Sequence, residues 1–213
     1  MHLYNQTYTK LVVNSSFDKK DLRVTTTKSV PTRRMPRAQR REQILGAATR
    51  AFARAGFADT GLDVIAAEAG VTPVIVYRHF ASKADLYRAV LESAGDRLRD
   101  VVGTDAFDDT SIPALLRAAA ADPAAFRLLF RYAPREPEFS DVIEAHQSAA
   151  TEIARRNLAE VVDERWRSWA AALLPALTTD AVIAWLDAGQ PDPEQAAQRI
   201  RHIVDAVIHA AQE

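Results

Sequence analysis

Residues Arg33-Arg34-Met35-Pro36-Arg37-Ala38-Gln39-Arg40-Arg41 carry five arginines and no acid. Such a run attracts phosphates, because each guanidinium that meets a polyanion replaces a condensed counterion. A solvated basic tail has the same composition, so the residues after the run decide between the two. Downstream come two pairs, Thr60-Gly61 and Thr72-Pro73, each placing a hydroxyl just ahead of a helical pattern. Tyr77, Arg78, His79 and Lys83 follow the second pair. Between them lie Pro73, Val74 and Ile75: proline has no amide to donate, and the other two can make only apolar contact, for instance with thymine methyl groups. Catalytic chemistry has no such foothold. There is no Gly-rich phosphate loop, no His-Glu-x-x-His, no nucleophile elbow and no cysteine. His202, Asp205 and His209 share one face of the last helical pattern, but nothing supplies a fourth metal ligand or a base. We read them as solvated or interfacial, and expect no enzyme activity, no metal and no cofactor.

The elements that would position these groups are helices. Ile44, Leu45, Ala48, Ala51, Phe52 and Ala55 recur at three- and four-residue steps over about 37–55, and Gly56 follows as a stop. A short helix is expected over 62–69, with Thr60 offering its hydroxyl to the first turn and Val64, Ile65 and Ala66 facing inward. Gly70 ends it. Thr72 caps a third helix running to about Phe80, and Ser82 caps a fourth that begins at Lys83. Two short helices joined by a glycine turn, after a longer one, make a helix-turn-helix, whose second member enters the major groove.

The run Gly56-Phe57, Thr60, Ile65-Ala66, Ala69-Gly70-Val71-Thr72, Tyr77, His79-Phe80, Ser82-Lys83 and Leu86, at these spacings, resembles the DNA-binding domain of the TetR family of bacterial transcriptional regulators. The likeness covers about 37–90. It implies an all-α chain of about nine helices, with an N-terminal three-helix DNA-binding domain and a helical-bundle ligand-binding and dimerisation domain. It also implies backbone phosphate contacts from Thr60, the amides from Gly61 onward, Thr72, Tyr77, His79 and Lys83. The base-reading run departs from the family pattern, since Pro73-Val74-Ile75 stands where many members carry a Lys-Gly-Thr-like run. Readout then falls to Arg78 and to arm arginines such as Arg37, or to DNA shape.

The second part of the chain shows no strand pattern. Helices are expected over 83–101, 112–120 and 123–132, with Pro134 to Pro137 breaking the chain. A longer one begins near Glu138, and whether it stops near 163 or continues through Trp166 stays open. A helix over most of 166–187 carries Pro175 as a kink, and the last spans 193–211. Leu173, Leu177 and Trp185, with Ile200, Val204, Val207 and Ile208, form broad apolar faces on the last two. They are expected to make a dimer interface, as two heads on spaced half-sites discriminate far better than one. The resemblance also implies an effector pocket among the middle helices, for which Phe126, Phe130, His146, Gln147, Ala150 and Trp166 are the candidates.

Charge divides as the motifs do. Residues 1–83 hold 14 Lys and Arg against 6 acids, and 84–213 hold 13 against 22, so a head of +8 precedes a body of −9. Four of the five lysines lie in the first 28 residues, in a stretch rich in Thr, Ser and Asn, while the rest of the chain is rich in Ala. We therefore divide the chain into a disordered basic tail (1–34), a helix-turn-helix domain (35–82) and a regulatory and dimerisation domain (83–213). No uninterrupted apolar run approaches the ~18 residues of a membrane span, and no secretory signal is visible, which makes a cytoplasmic location the default. The expected function is a homodimeric, sequence-specific regulator, a repressor released from a palindromic operator by a small, largely apolar effector. The competing reading is a nonspecific or architectural DNA binder without an effector.

Overall fold

The computed structural model describes residues 35–103 and 107–213; the expectation of a disordered tail over 1–34 lies outside the described residues. Met35–Glu213 forms one compact unit. Among the described residues there are nine α-helices and no strands: α1 (Arg37–Asp59), α2 (Leu62–Glu68), α3 (Pro73–Tyr77), α4 (Lys83–Val102), α5 (Ser111–Ala121), α6 (Pro123–Arg127), α7 (Ser140–Asn157), α8 (Glu164–Asp187) and α9 (Pro193–Ala210). The all-α reading holds.

The head is built on helix ends. Gly56 has φ +80 and ψ 174, a conformation open to glycine, and it lets α1 break and resume for one more turn rather than stop. The freed carbonyls are capped by side chains. Thr60 Oγ1 donates to Gly56 O at 2.6 Å, and Lys83 Nζ donates to Phe57 O at 2.8 Å and Ala58 O at 3.1 Å. At the end of α2, Gly70 takes φ +63. Val71 N then donates to Ala66 O and Gly70 N to Ala67 O, the paired bonds of a Schellman turn that aims α3 across α2. Ser82 caps α4 as expected, its hydroxyl accepting from Asp85 N, while Asp85 Oδ2 accepts from Ala81 N.

One apolar cluster joins head to body. It runs from Ile44, Phe52 and Ile65 through Leu86, Tyr87 and Leu91 to Leu128, Phe139 and Ile143. At its centre Phe52 meets Tyr87 edge-on at 4.8 Å, and Phe57 and Tyr87 both pack on Phe139. The core therefore does not divide between Ser82 and Lys83, where a domain boundary is expected from the sequence. Burial drives the Tyr87 phenol well above its ordinary range, with Glu136 adding to the effect.

The body departs from the periodicity in two places. The expected helix over 123–132 stays α-helical only to Arg127 and widens into a π-turn over Leu128–Tyr132, followed by 3-10 turns at Ala133–Arg135 and Pro137–Phe139. The question around 160–170 is settled by Asp163, whose carboxylate accepts from Arg165 N and Trp166 N and so starts α8 afresh. Leu158 and Val161 consequently lie in the connecting turn, not on α7. By length and composition α8 is apolar enough to cross a membrane, although it holds no long uninterrupted apolar run. Its buried residues instead pack inside the chain: Val182, Ile183, Trp185 and Leu186 against α5 and α9, and Ala170 and Ala171 beside Ala154 of α7.

Two interface expectations are corrected here. Trp185 and Ile200 are buried within the chain, and Trp185 Nε1 donates to Pro191 O at 2.6 Å, so neither is available to a partner. Leu173, Leu177, Val204, Val207 and Ile208 remain part-exposed, with Val207 and Ile208 packed on the Ala170–Ala171 cluster. Among the described residues from Lys83 on, the large apolar side chains left exposed are Trp166 and Trp169, 45% and 44% exposed and in edge contact at 6.0 Å, with Val161 and Ile203, and, away from α8 and α9, Val101 and Phe107.

Candidate nucleic-acid interface

α3 presents the residues that face solvent on the head. Thr72 stands at its N-cap position with Pro73 in the first turn, yet the Thr72 hydroxyl makes no capping bond and is exposed. Val74 and Tyr77 are 59% and 58% exposed, and Arg78 is exposed beside them. Val76 is buried and anchors the helix. Ile75, expected on the same face as Pro73 and Val74, instead packs against the core, because a five-residue helix must turn one side inward to be held at all. The surface offered is Thr72, Pro73, Val74, Tyr77 and Arg78. Val64 of α2 is exposed rather than inward-facing.

The start of α1 forms the second edge. Arg37 is exposed, Arg40 is tied to Gln43 at 2.7 Å, and Gln43 reaches Ala69 O at 2.7 Å, which fixes α1 to the end of α2. Arg41 lies over the Phe80 ring at 4.9 Å. Arg33 and Arg34 lie outside the described residues. His79 sits under these cations. Its Nδ1 is buried with no hydrogen-bond partner among the described residues. Burial first, then the charges of Arg37, Arg41 and Arg40, push its pKa below the ordinary histidine value.

Two expected phosphate contacts have other work. The Thr60 side chain is 2% exposed with its hydroxyl committed to the Gly56 carbonyl, and α2 has no side-chain cap; Gly61, half-buried, holds the N-cap position. Thr60 therefore neither caps α2 nor reaches a phosphate. Lys83 lies 4.5 Å above the Phe57 ring with its ammonium on two carbonyls, which makes it a clamp between α4 and the end of α1. Arg50 and Arg54 also act internally. Both pair with Glu68 of α2, Arg50 at 2.8 Å, and the Arg54 hydrogen bond is the first cause of the low Glu68 pKa.

The six pocket candidates do not converge. Phe126 and Phe130 meet at 4.7 Å with their rings tilted by 50° in the second apolar cluster, which Leu98 and Val102 of α4 also join. His146 is turned onto α4, Ala150 is part-exposed, and Gln147 and Trp166 face solvent. A cleft of about 520 Å³ opens instead between α1 and α6, lined by Arg50, Ala53, Arg54, Pro123, Ala124, Arg127 and Tyr132. None of the six lines it. Sequence reasoning missed the Lys83 clamp, the shared Glu68 and the seat of His146. The only available signal was Gly95, a lone glycine within a strong helical pattern.

The family model described as bacterial regulatory proteins, tetR family, matches residues 44–90. The chain is 32% identical over 179 residues to the HTH-type transcriptional activator FasR of Mycolicibacterium smegmatis, covering 77% of this chain and 80% of that one. It is 33% identical over 135 residues to the HTH-type transcriptional repressor SCO4008 of Streptomyces coelicolor, covering 63% and 69%. Among solved structures, SCO4454, a TetR-family transcriptional regulator from Streptomyces coelicolor, is 29% identical with a TM-score of 0.60, over 83% of this chain and 97% of that one. A TetR-like regulator from Rhodococcus sp. RHA1 shares the fold at a TM-score of 0.67 with 21% identity, over 80% and 96%.

Proposed function

From the premise that this chain belongs to the tetR family of bacterial regulatory proteins, DNA-binding regulators of transcription, we propose that it is a homodimeric repressor of a palindromic operator. One observation carries the reading. α3 leaves Val74, Tyr77 and Arg78 in solvent, edged by the arginines at the start of α1. That combination suits a major groove, with apolar contact to thymine methyls at Val74 and hydrogen bonding from Arg78 to a base edge. Thr72, Tyr77, Arg37 and the backbone at Gly61 set register on phosphates. His79 lies beneath the arginines and responds to the phosphates they bind.

The dimer is supported by the outer face of α8 and α9, where Trp166, Trp169 and Ile203 are exposed and Leu173 and Leu177 part-exposed. Effector release is supported by the second cluster. Phe126 and Phe130 share it with Leu98 and Val102 of α4, so a molecule entering there displaces apolar side chains and bears on α4. Such an effector is small and largely apolar, and acts only through preference for one head spacing. Occupancy of an operator suffices for repression. A second reading, activation, is favoured by one observation: the relative named as an activator is matched over 80% of its length. In either role the protein acts in the cytoplasm, on bacterial DNA.

Selection from a random duplex library at near-physiological salt tests this. Recovery of two matched half-sites in a palindrome is the expected result. Binding without any recovered motif, collapsing as salt rises, overturns it in favour of a nonspecific binder. Transcription from the recovered site, with and without protein, separates repression from activation.

A further inference from the structure

α4 holds a single glycine, Gly95, and it is buried in the helix interior, where glycine is disfavoured relative to alanine. The space a side chain would take there is occupied from outside the helix. A Cβ on Gly95 would lie 1.5 Å from His146 Nε2, 2.5 Å from Cδ2 and 2.6 Å from Cε1. The imidazole edge of α7 thus rests against the backbone of α4. The ring cannot easily swing away, since its Nδ1 lies 3.0 Å from Val142 O on its own helix. With that nitrogen donating, Nε2 is a bare acceptor, buried and without a partner among the described residues. A second contact, Arg88 to Asp141 at 2.5 Å, joins the same two helices closer to the head, and Arg88 also lies over the Phe139 ring. Two points fix how α7 crosses α4. Gly95 lies about 18 Å along α4 from Lys83, at 1.5 Å per residue, and Lys83 is clamped to the end of α1.

We propose that His146 and Gly95 form a latch that registers the body on α4 and so sets the pitch of the DNA-binding head, with His146 as a positioning residue. The proposal rests on the regulatory reading above. The notch explains why α4 tolerates a glycine, and the unpaired Nε2 explains how the latch is released: nothing but fit holds the ring tip in place. Moving α7 off α4 changes the register of the head on the body.

The chain has no cysteine, so spin labels can be placed at Ala67→Cys on α2 and Gln198→Cys on α9, both exposed. Diluting labelled with unlabelled chain leaves intrachain distances alone. In the full chain, Gly95→Ala is expected to shift the head-to-body distance and to lower affinity for the selected duplex by about tenfold. Adding His146→Ala makes room for the new methyl and restores both. His146→Ala alone broadens the distance distribution. An unshifted distance in Gly95→Ala overturns the latch, and so does a double variant that stays shifted. Should Gly95→Ala not fold, His146→Ala decides: a broadened distribution supports the latch and an unchanged one overturns it. If distances move as stated while the parent selects no DNA sequence, the latch stands and the operator reading falls.

Discussion

The outer face of α3 and the outer face of α8 and α9 both leave large apolar side chains in water, Val74 and Tyr77 on one, Trp166, Trp169 and Ile203 on the other. Their surroundings differ. α3 is a five-residue helix edged by Arg37, Arg40, Arg41 and Arg78, in a stretch of chain that is strongly basic. The face on α8 and α9 is long and broad and belongs to the acidic part of the chain. Exposed apolar area alone does not name a partner. A narrow apolar strip within a cationic rim fits a groove walled by phosphates, whereas a wide one with mixed charges at its edge fits a second protein surface.

The comparison breaks most sharply at the tryptophans. Trp169→Glu with Ile203→Glu places charge in the broad face without touching the head. We expect a monomer by sedimentation, and a loss of operator affinity of about 10²–10³-fold, since one head lacks the second half-site. A dimer that persists, with DNA affinity intact, removes that face from the interface.

Arg78→Ala tests the narrow face on the scale of single contacts. A bidentate base contact is worth about 1–3 kcal/mol of discrimination. The variant is therefore expected to lose preference at one base pair of each half-site, read by repeating the selection. A uniform loss at every position, with a salt slope reduced by about one, makes Arg78 a phosphate contact instead.

Lys83→Met separates a structural cation from a DNA-binding one. The ammonium holds the Phe57 and Ala58 carbonyls, and hydrogen bonds from a charged group contribute about 1.5–3 kcal/mol. We expect the melting temperature to fall by several degrees, while the salt dependence of DNA binding keeps its slope. A flattened slope with unchanged melting restores Lys83 to the phosphate contacts.

How much was legible in the sequence depends on how local each cause is. Some helix starts were, because Ser82, Asp122 and Asp192 cap within a turn of where they stand, whereas Gly56 does not stop α1 and neither Thr60 nor Thr72 makes the expected cap. The turn at Gly70 was readable for the same reason. What a side chain does across the fold was not. Thr60 and Lys83 read as donors facing outward, and only the break at Gly56 shows that they close carbonyls of α1. Periodicity placed Val64 wrongly, and the base-reading run implied by the resemblance placed Ile75 wrongly, because a helix of five or seven residues has too few turns to fix its buried side. Trp185 and Ile200 lie on apolar faces wide enough to serve a core and a partner at once, and only packing shows which positions the core takes.

The two described histidines with displaced pKa values give the smallest effect and separate head from body by its sign. Both are pushed below the ordinary histidine value in the folded chain: His79 by burial and then by Arg37, Arg41 and Arg40, His146 by burial and then by Arg99, partly offset by the Val142 carbonyl, Asp96 and Glu92. A histidine with a folded pKa below its unfolded value of 6.5 costs nothing above that pH. As pH falls below it the unfolded chain takes up the proton first, so both residues lower stability on acidification. DNA affinity divides them. Phosphates docking on the arginines offset the part of the His79 depression that those charges add to burial, raise its pKa, and make binding take up a proton. Between pH 7.5 and 5.5, at fixed ionic strength, operator affinity is expected to rise as pH falls, and His79→Gln to lose part of that rise. His146→Gln should leave the affinity slope in place while flattening the pH dependence of melting. An affinity slope that His146→Gln abolishes and His79→Gln does not would place the titrating contact in the body, and the arginine rim would then not be where phosphates bind.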